Sequence, residues 1–149
     1  REELRRFIEE HATAWAVGIA TVQEIQQINI LHASMLAMQR AIEALPCTPE
    51  RLLIDGNYYD PRPDEVEYHT IVKGDDRYLA IAAASILAKT HRDEYMTQQA
   101  QEYPHYGWEQ NKGYPTAQHR EGIRQYGSCP LHRQGFQLLQ PEPLFDLER

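Results

Sequence analysis

The sequence predicts an α/β or α+β domain, and three observations carry that prediction. Helical and strand-like stretches alternate in the order helix, strand, helix, strand, strand, helix, helix. Residues 29–45 keep apolar side chains at helical spacing. Two short runs, the apolar 52–54 and the mixed 68–72, are bounded by glycine, aspartate and proline and read as strands. With 149 residues, 42% of them hydrophobic, the chain suffices for one domain, residues 1–149, with a moderate core.

The elements follow in order. The chain does not begin with Met and opens inside a helix, with Leu4, Phe7 and Ile8 on one face and no capping residue before them. It therefore reads as starting in mid-element. Residues 14–20, Ala-Trp-Ala-Val-Gly-Ile-Ala, read as a strand buried on at least one face. Thr21 caps a short helix, with Glu24 three residues on as in a capping box. In the amphipathic helix 29–45, Ile30, Leu31, Met35, Met38, Ile42 and Leu45 keep the period, while Ala33, Ala37 and Ala41 permit close packing. Pro46 and Pro49 end it. Residues 51–54 form a short strand ending at Asp55, 57–68 a loop, 68–72 a second short strand, and 73–76 a turn. Residues 77–103 form a long helix whose first half is apolar on every side, which predicts burial all round. After an aromatic, glycine-containing loop, Thr116 caps a helix through Tyr126 and Gly127 closes it. The tail, with Pro130, Pro141 and Pro143, is expected to be irregular. So few strands make a thin sheet for this much apolar helix, so further strands are expected ahead of Arg1.

Composition narrows the function. The net charge of −7 argues against a general nucleic-acid binder. The charge is uneven, however. Residues 110–135 hold Lys112, Arg120, Arg124 and Arg133 against the single acid Glu121, a strip able to meet phosphates or simply to face solvent. No stretch is long and apolar enough to cross a membrane, and none has a signal-peptide pattern. Cys47 and Cys129 lack metal-site spacing and read as reduced thiols of a cytoplasmic protein.

Asp55 and Asp75 are the leading chemical candidates. Each follows a strand-like run and lies beside a glycine, so strands ending side by side would bring both carboxylates to one hard divalent cation. Spacing alone equally allows Asp55 to close a turn and Asp75 to start a helix. Asp93 lies four to five turns down the long helix, where a surface charge is the ordinary reading. Tyr114, after Lys112-Gly113, could stack on a sugar or base with Lys112 on a phosphate, or could be a packed loop aromatic. His132-Arg133 offers a phosphate-facing pair or a polar tail.

Taken together, these segments resemble ribonuclease HII over nearly the whole chain. The resemblance rests on 29–41, Leu53-Ile54-Asp55-Gly56-Asn57, Val72-Lys73-Gly74-Asp75, 83–89 with Arg92-Asp93, Tyr106-Gly107, Lys112-Gly113-Tyr114-Pro115-Thr116 and His132-Arg133. It implies a ribonuclease H-like mixed sheet flanked by helices. It also implies two magnesium or manganese ions held by four acids. By this resemblance Asp55 and Asp75 are catalytic metal ligands and Asp93 is a further carboxylate near the metals. Tyr114 reads the junction of a ribonucleotide with DNA, and Lys112, His132 and Arg133 contact substrate. The implied activity is hydrolysis of RNA in RNA–DNA hybrids and at ribonucleotides embedded in duplex DNA, leaving a 3′-hydroxyl and a 5′-phosphate. A monomer is expected. The departure is at the front: the family's first strands, with an Asp-Glu pair and a Gly-Arg-Gly turn, would precede Arg1. The chain is thus expected to be an N-terminally truncated piece, inactive as it stands. The competing reading is a non-catalytic module that binds hybrid nucleic acid or a partner protein.

Overall fold

A computed structural model describes residues 1–62, 66–135 and 139. The elements are α1 (Glu2–His11), α2 (Val22–Glu43), β1 (Leu52–Asp55), β2 (Tyr68–Ile71), a 3₁₀ turn (Gly74–Asp76), α3 (Leu79–Glu102), a second 3₁₀ turn (Pro104–Tyr106), α4 (Trp108–Asn111) and α5 (Ala117–Tyr126). The chain divides into two compact units, Arg1–Asp93 and Glu94–Arg149, with α3 contributing residues to each.

Local signals set the start of α2 and the break inside it. Thr21 and Glu24 form the capping box that their spacing predicts: the Glu24 amide donates to Thr21 Oγ1, and the Thr21 amide donates back to Glu24 Oε2 at 2.8 Å. Arg40 also grips Glu24, and with the Thr21 bonds it holds the Glu24 carboxyl down to about pKa 2. The expected boundary at residue 29 is present as a break inside α2. Asn29 has φ 65° and ψ 170°, and its Oδ1 accepts from the amides of Leu31 and His32, so it caps the second helical stretch.

The predicted strand at 14–20 does not form. Among the described residues β1 pairs only with β2, and a strand needs a ladder partner. The segment packs on α2 instead. Gly18 lies so close that an added Cβ would sit 1.9 Å from the Ala37 carbonyl oxygen and 2.6 Å from the Ala41 nitrogen. Arg40 donates to the Ile19 carbonyl at 2.7 Å. The apolar run that suggested a strand therefore serves packing against a helix.

β1 and β2 are parallel, with Leu52 opposite Tyr68 and Asp55 opposite Ile71. Parallel pairing requires a long connection, and residues 56–67 supply it. Tyr59 pins that connection into a core with Met35, Leu52 and Ile54. The prediction that the first half of α3 is buried on every side is corrected. Ile81, Leu87 and Thr90 are buried, whereas Leu79 is 87% exposed and Ala80, Ala84 and Ala88 are exposed. No described element covers that face.

The second unit is built on aromatics. Ala100, Tyr106, Trp108 and Ile123 form its core, with Trp108 only 1% exposed. Part of the stretch expected to be loop winds into the second 3₁₀ turn and α4. Thr116 caps α5 by accepting from the His119 amide, and Gly127, at φ 76°, ends it, as the sequence predicts. Most of the tail expected to be irregular, residues 136–138 and 140–149, lies outside the described residues.

Candidate active site

In the first unit the sheet brings Asp55 to the turn that carries Asp75. Asp55 is the last residue of β1, at the carboxyl end of a parallel pair, where α/β proteins place their ligands. Its neighbour strand ends at Ile71, whose carbonyl accepts from the Gly56 amide at 2.9 Å. Two residues on, Lys73 adopts a left-handed φ of 54° and turns the chain back. The Gly74 amide then donates to Asp55 Oδ1 at 2.8 Å. The next residue is Asp75, inside the 3₁₀ turn that leads to α3. Both aspartates are exposed.

Glycine is required at 74. An added Cβ would lie 2.5 Å from Ile81 Cδ1 and 3.4 Å from Asp55 Oδ1. The Gly74 carbonyl meanwhile accepts from the amides of Arg77 and Tyr78, tying the turn to the start of α3. The backbone thus fixes one oxygen of Asp55 and places Asp75 one residue from that anchor.

An all-oxygen donor set suits a hard divalent cation. Among the described residues no group of three or more His, Cys, Asp or Glu side chains could hold a metal ion. Two carboxylates still fit magnesium in kind, because that ion keeps several waters and takes one or two carboxylates alongside substrate phosphates.

The structure does not bring Asp93 to this corner. It lies about 20 Å along α3 from the helix start, by the rise per residue. Its Oδ1 pairs with Lys89 Nζ at 2.7 Å, one helical turn back, and with Arg92 at 3.9 Å.

The remaining candidates lie in the second unit. Tyr114 is 56% exposed, just after Gly113 at φ 83°. Its backbone is held at both ends: its amide donates to the Asn111 carbonyl, and its carbonyl accepts from Thr116 at 2.8 Å. The Asn111 side chain braces the same loop, donating to the Tyr106 carbonyl and accepting from the Gly113 amide. Lys112 also turns inward to the loop's support, with Nζ on Thr97 Oγ1 and on the Glu109 carbonyl.

His132 and Arg133 separate. Arg133 is exposed, as a phosphate contact requires. His132 is buried, and both its ring nitrogens are engaged: Nδ1 with the Cys129 amide at 3.0 Å, Nε2 with His119 Nε2 at 3.0 Å. The expectation of a phosphate-facing histidine is corrected, since no nitrogen of this ring is left for a phosphate. Burial, and then the neighbouring His119, push its pKa below the usual histidine value, so near neutral pH the ring carries no charge. Burial likewise pushes the Cys129 thiol up, which makes it a poor nucleophile. The buried partner His119 is a feature that sequence reasoning missed. It lies thirteen residues from His132, and no spacing rule joins two positions across a loop.

An α/β chain with acids gathered at the carboxyl edge of parallel strands has the layout of an enzyme of that class. The comparisons make this specific. The family Ribonuclease HII matches residues 1–139. Ribonuclease HII of Parabacteroides distasonis is 60% identical over 144 residues, covering 97% of this chain and 71% of that protein. Ribonuclease HII of Phocaeicola vulgatus is 52% identical over 147 residues, covering 99% of this chain and 73% of that protein. The crystal structure of the ribonuclease H2 from Pyrococcus horikoshii OT3 superposes with a TM-score of 0.70 at 25% identity, covering 92% of this chain and 72% of that one. The chain belongs to the ribonuclease HII family, which makes it a hydrolase of the endoribonuclease class, and the family depends on divalent metal ions. No described helix is long and apolar enough to cross a membrane.

Proposed function

We propose that this protein hydrolyses the RNA strand of RNA–DNA hybrids, and ribonucleotides embedded in duplex DNA, with Asp55 and Asp75 as the ligands this chain offers to magnesium or manganese. The observation that carries the reading is the Asp55–Gly74 hydrogen bond. It sets one carboxylate at a strand end beside the turn that bears the other. Bound there, divalent ions supply an activated water and neutralise the charge on the leaving oxygen.

The chain's own groups do the rest. The Gly74 amide orients Asp55, so little reorganisation is needed when a cation arrives. Tyr114 presents an exposed ring to the sugar at the junction, where the 2′-hydroxyl distinguishes RNA from DNA. Arg133, in the basic strip of residues 110–135, meets the phosphate backbone and gives affinity without sequence preference. Lys112 supports the loop that carries Tyr114. Asp93, held by Lys89, has no part in the proposal.

The test is the substitution Asp55→Asn in the protein at its natural length. Asparagine keeps an oxygen for the Gly74 amide and loses only the charge. Cleavage of a duplex holding one ribonucleotide is expected to fall by at least about a hundredfold, the scale of several kcal/mol of charge stabilisation. Affinity for the duplex should stay within about threefold. Near-wild-type turnover would remove Asp55 from the site.

A further inference from the structure

Among the described residues of the second unit, a buried polar feature has no part in the proposed chemistry: His119 and His132, which meet Nε2 to Nε2 with their rings tilted by 53° under the Tyr114 loop. The proton positions in this pair follow from its ends. At one end His132 Nδ1 meets two groups of Cys129, the amide at 3.0 Å and the thiol sulfur at 3.2 Å; the amide can only donate and the thiol can donate beside it, so Nδ1 accepts and the ring proton sits on Nε2. His132 Nε2–H then donates to His119 Nε2. His119 therefore carries its proton on Nδ1, which lies 3.0 Å from the Tyr114 carbonyl, a group that can only accept. The indole of Trp108 points a second, longer donor at His119 Nε2, at 3.4 Å. One directed relay thus runs from the Cys129 amide through two neutral rings to the backbone of Tyr114. An added proton would break it: on His132 Nδ1 it meets the Cys129 amide N–H beside the thiol, and on His119 Nε2 it meets the N–H of His132.

We propose that His119 and His132 are positioning residues for substrate recognition: as a neutral hydrogen-bonded pair they fix the Tyr114 backbone from beneath and so hold its exposed ring where the ribonucleotide sugar arrives. The inference rests on the role assigned to Tyr114 above. Its physical basis is preorganisation. A half-exposed ring on a mobile loop would lose conformational freedom on binding, and a loop already fixed from within loses little. Two donors, the Thr116 amide and His119 Nδ1, converge on one carbonyl. The Tyr106 ring closes over His132 edge-on at 4.7 Å, and Trp108 lies 5.4 Å from it. The groups facing the pair are thus Tyr106, Trp108 and Cys129, which are neutral near pH 7. Glu102, at the end of α3, acts on Tyr103 and Cys129 and is not among the groups that shift His132.

The pairing has a direct spectroscopic signature. Long-range proton–nitrogen NMR near neutral pH is expected to find the proton of His132 on Nε2 and that of His119 on Nδ1. A charged imidazole in either, or the opposite arrangement, would overturn the proposal. The functional arm measures binding, in EDTA, of a DNA duplex with one ribonucleotide and of the same duplex in DNA alone. Tyr114→Ala should erase the preference for the first. His119→Leu should cut that preference by about tenfold, the effect of one buried hydrogen bond. His119→Asn, whose amide can still donate to the Tyr114 carbonyl, should restore most of it. His119→Leu added to Tyr114→Ala should do nothing more. A preference unchanged in Tyr114→Ala overturns the role of Tyr114 and this proposal with it. A preference lost in Tyr114→Ala but kept in a folded His119→Leu overturns this proposal alone. Should the His119 variants fail to fold, the wild-type tautomers decide.

Discussion

The Asp55–Gly74 corner and the His119–His132 pair are opposite solutions to placing polar groups. The corner is exposed and charged, with one Asp55 oxygen fixed by a backbone amide. The pair is buried, and every ring nitrogen has a partner. The difference follows from solvation. Charge can be kept cheaply only where water or a ligand can reach it, while a buried imidazole is tolerated only neutral and fully bonded. Groups that receive a ligand and groups that hold shape are therefore recognisable by exposure and partner count, even when both contain titratable side chains.

Removing the packing around the pair should give the largest effect. Trp108 is 1% exposed and its ring lies beside those of Tyr103, Tyr106, His119 and His132. Trp108→Ala is expected to cost about 3–5 kcal/mol, by cavity formation in a core that cannot collapse. Denaturant unfolding measures it, and a loss below about 1 kcal/mol would mean the aromatic cluster is not the unit's core.

Acid should act next, and selectively on the pair. The folded pKa of His132 lies below its unfolded value of 6.5, because burial first, and His119 second, disfavour the charged ring. The unfolded chain thus takes up this proton before the folded one. The contribution of His132 to stability is full above pH 6.5 and is lost as pH falls through the lower, folded value. Denaturation midpoints of wild type and His132→Gln should converge as pH is lowered from neutral through that window. Parallel pH profiles would mean that His132 carries no such linkage.

The smallest effect sharpens the other side. Asp93 forms a half-exposed pair with Lys89 one turn away. Asp93→Ala should cost only about 0.2–0.5 kcal/mol and leave cation binding as it was. A marked drop in cation affinity would return Asp93 to the metal site.

Legibility in the sequence followed the range of the interaction. Caps at Thr21 and Thr116 were readable because each acts on an amide three residues away; at Asn29 the helix boundary was readable and the cap was not. Asp55 and Asp75 were readable as candidates because each lies beside a glycine after a strand-like run, Asp55 at the end of β1 and Asp75 in the turn after β2. The 2.8 Å bond between Asp55 and Gly74, nineteen positions apart, needed the parallel register. Residues 14–20 were misread because an apolar run does not reveal whether a ladder partner or a helix waits beside the segment. The all-round burial assigned to α3 failed for the same reason, since composition does not say what covers a face. The histidine pair was invisible because its contact depends on how the loop after α5 folds back.

The most direct measurement is a manganese titration followed by amide NMR, which reports a bound paramagnetic ion whether or not any strand is cut. Broadening should begin at Gly56, Gly74 and Asp75, and should weaken sharply in Asp55→Asn and in Asp75→Asn. Broadening spread evenly over the acidic surface, or unchanged in both variants, would contradict a cation site at the ends of β1 and β2.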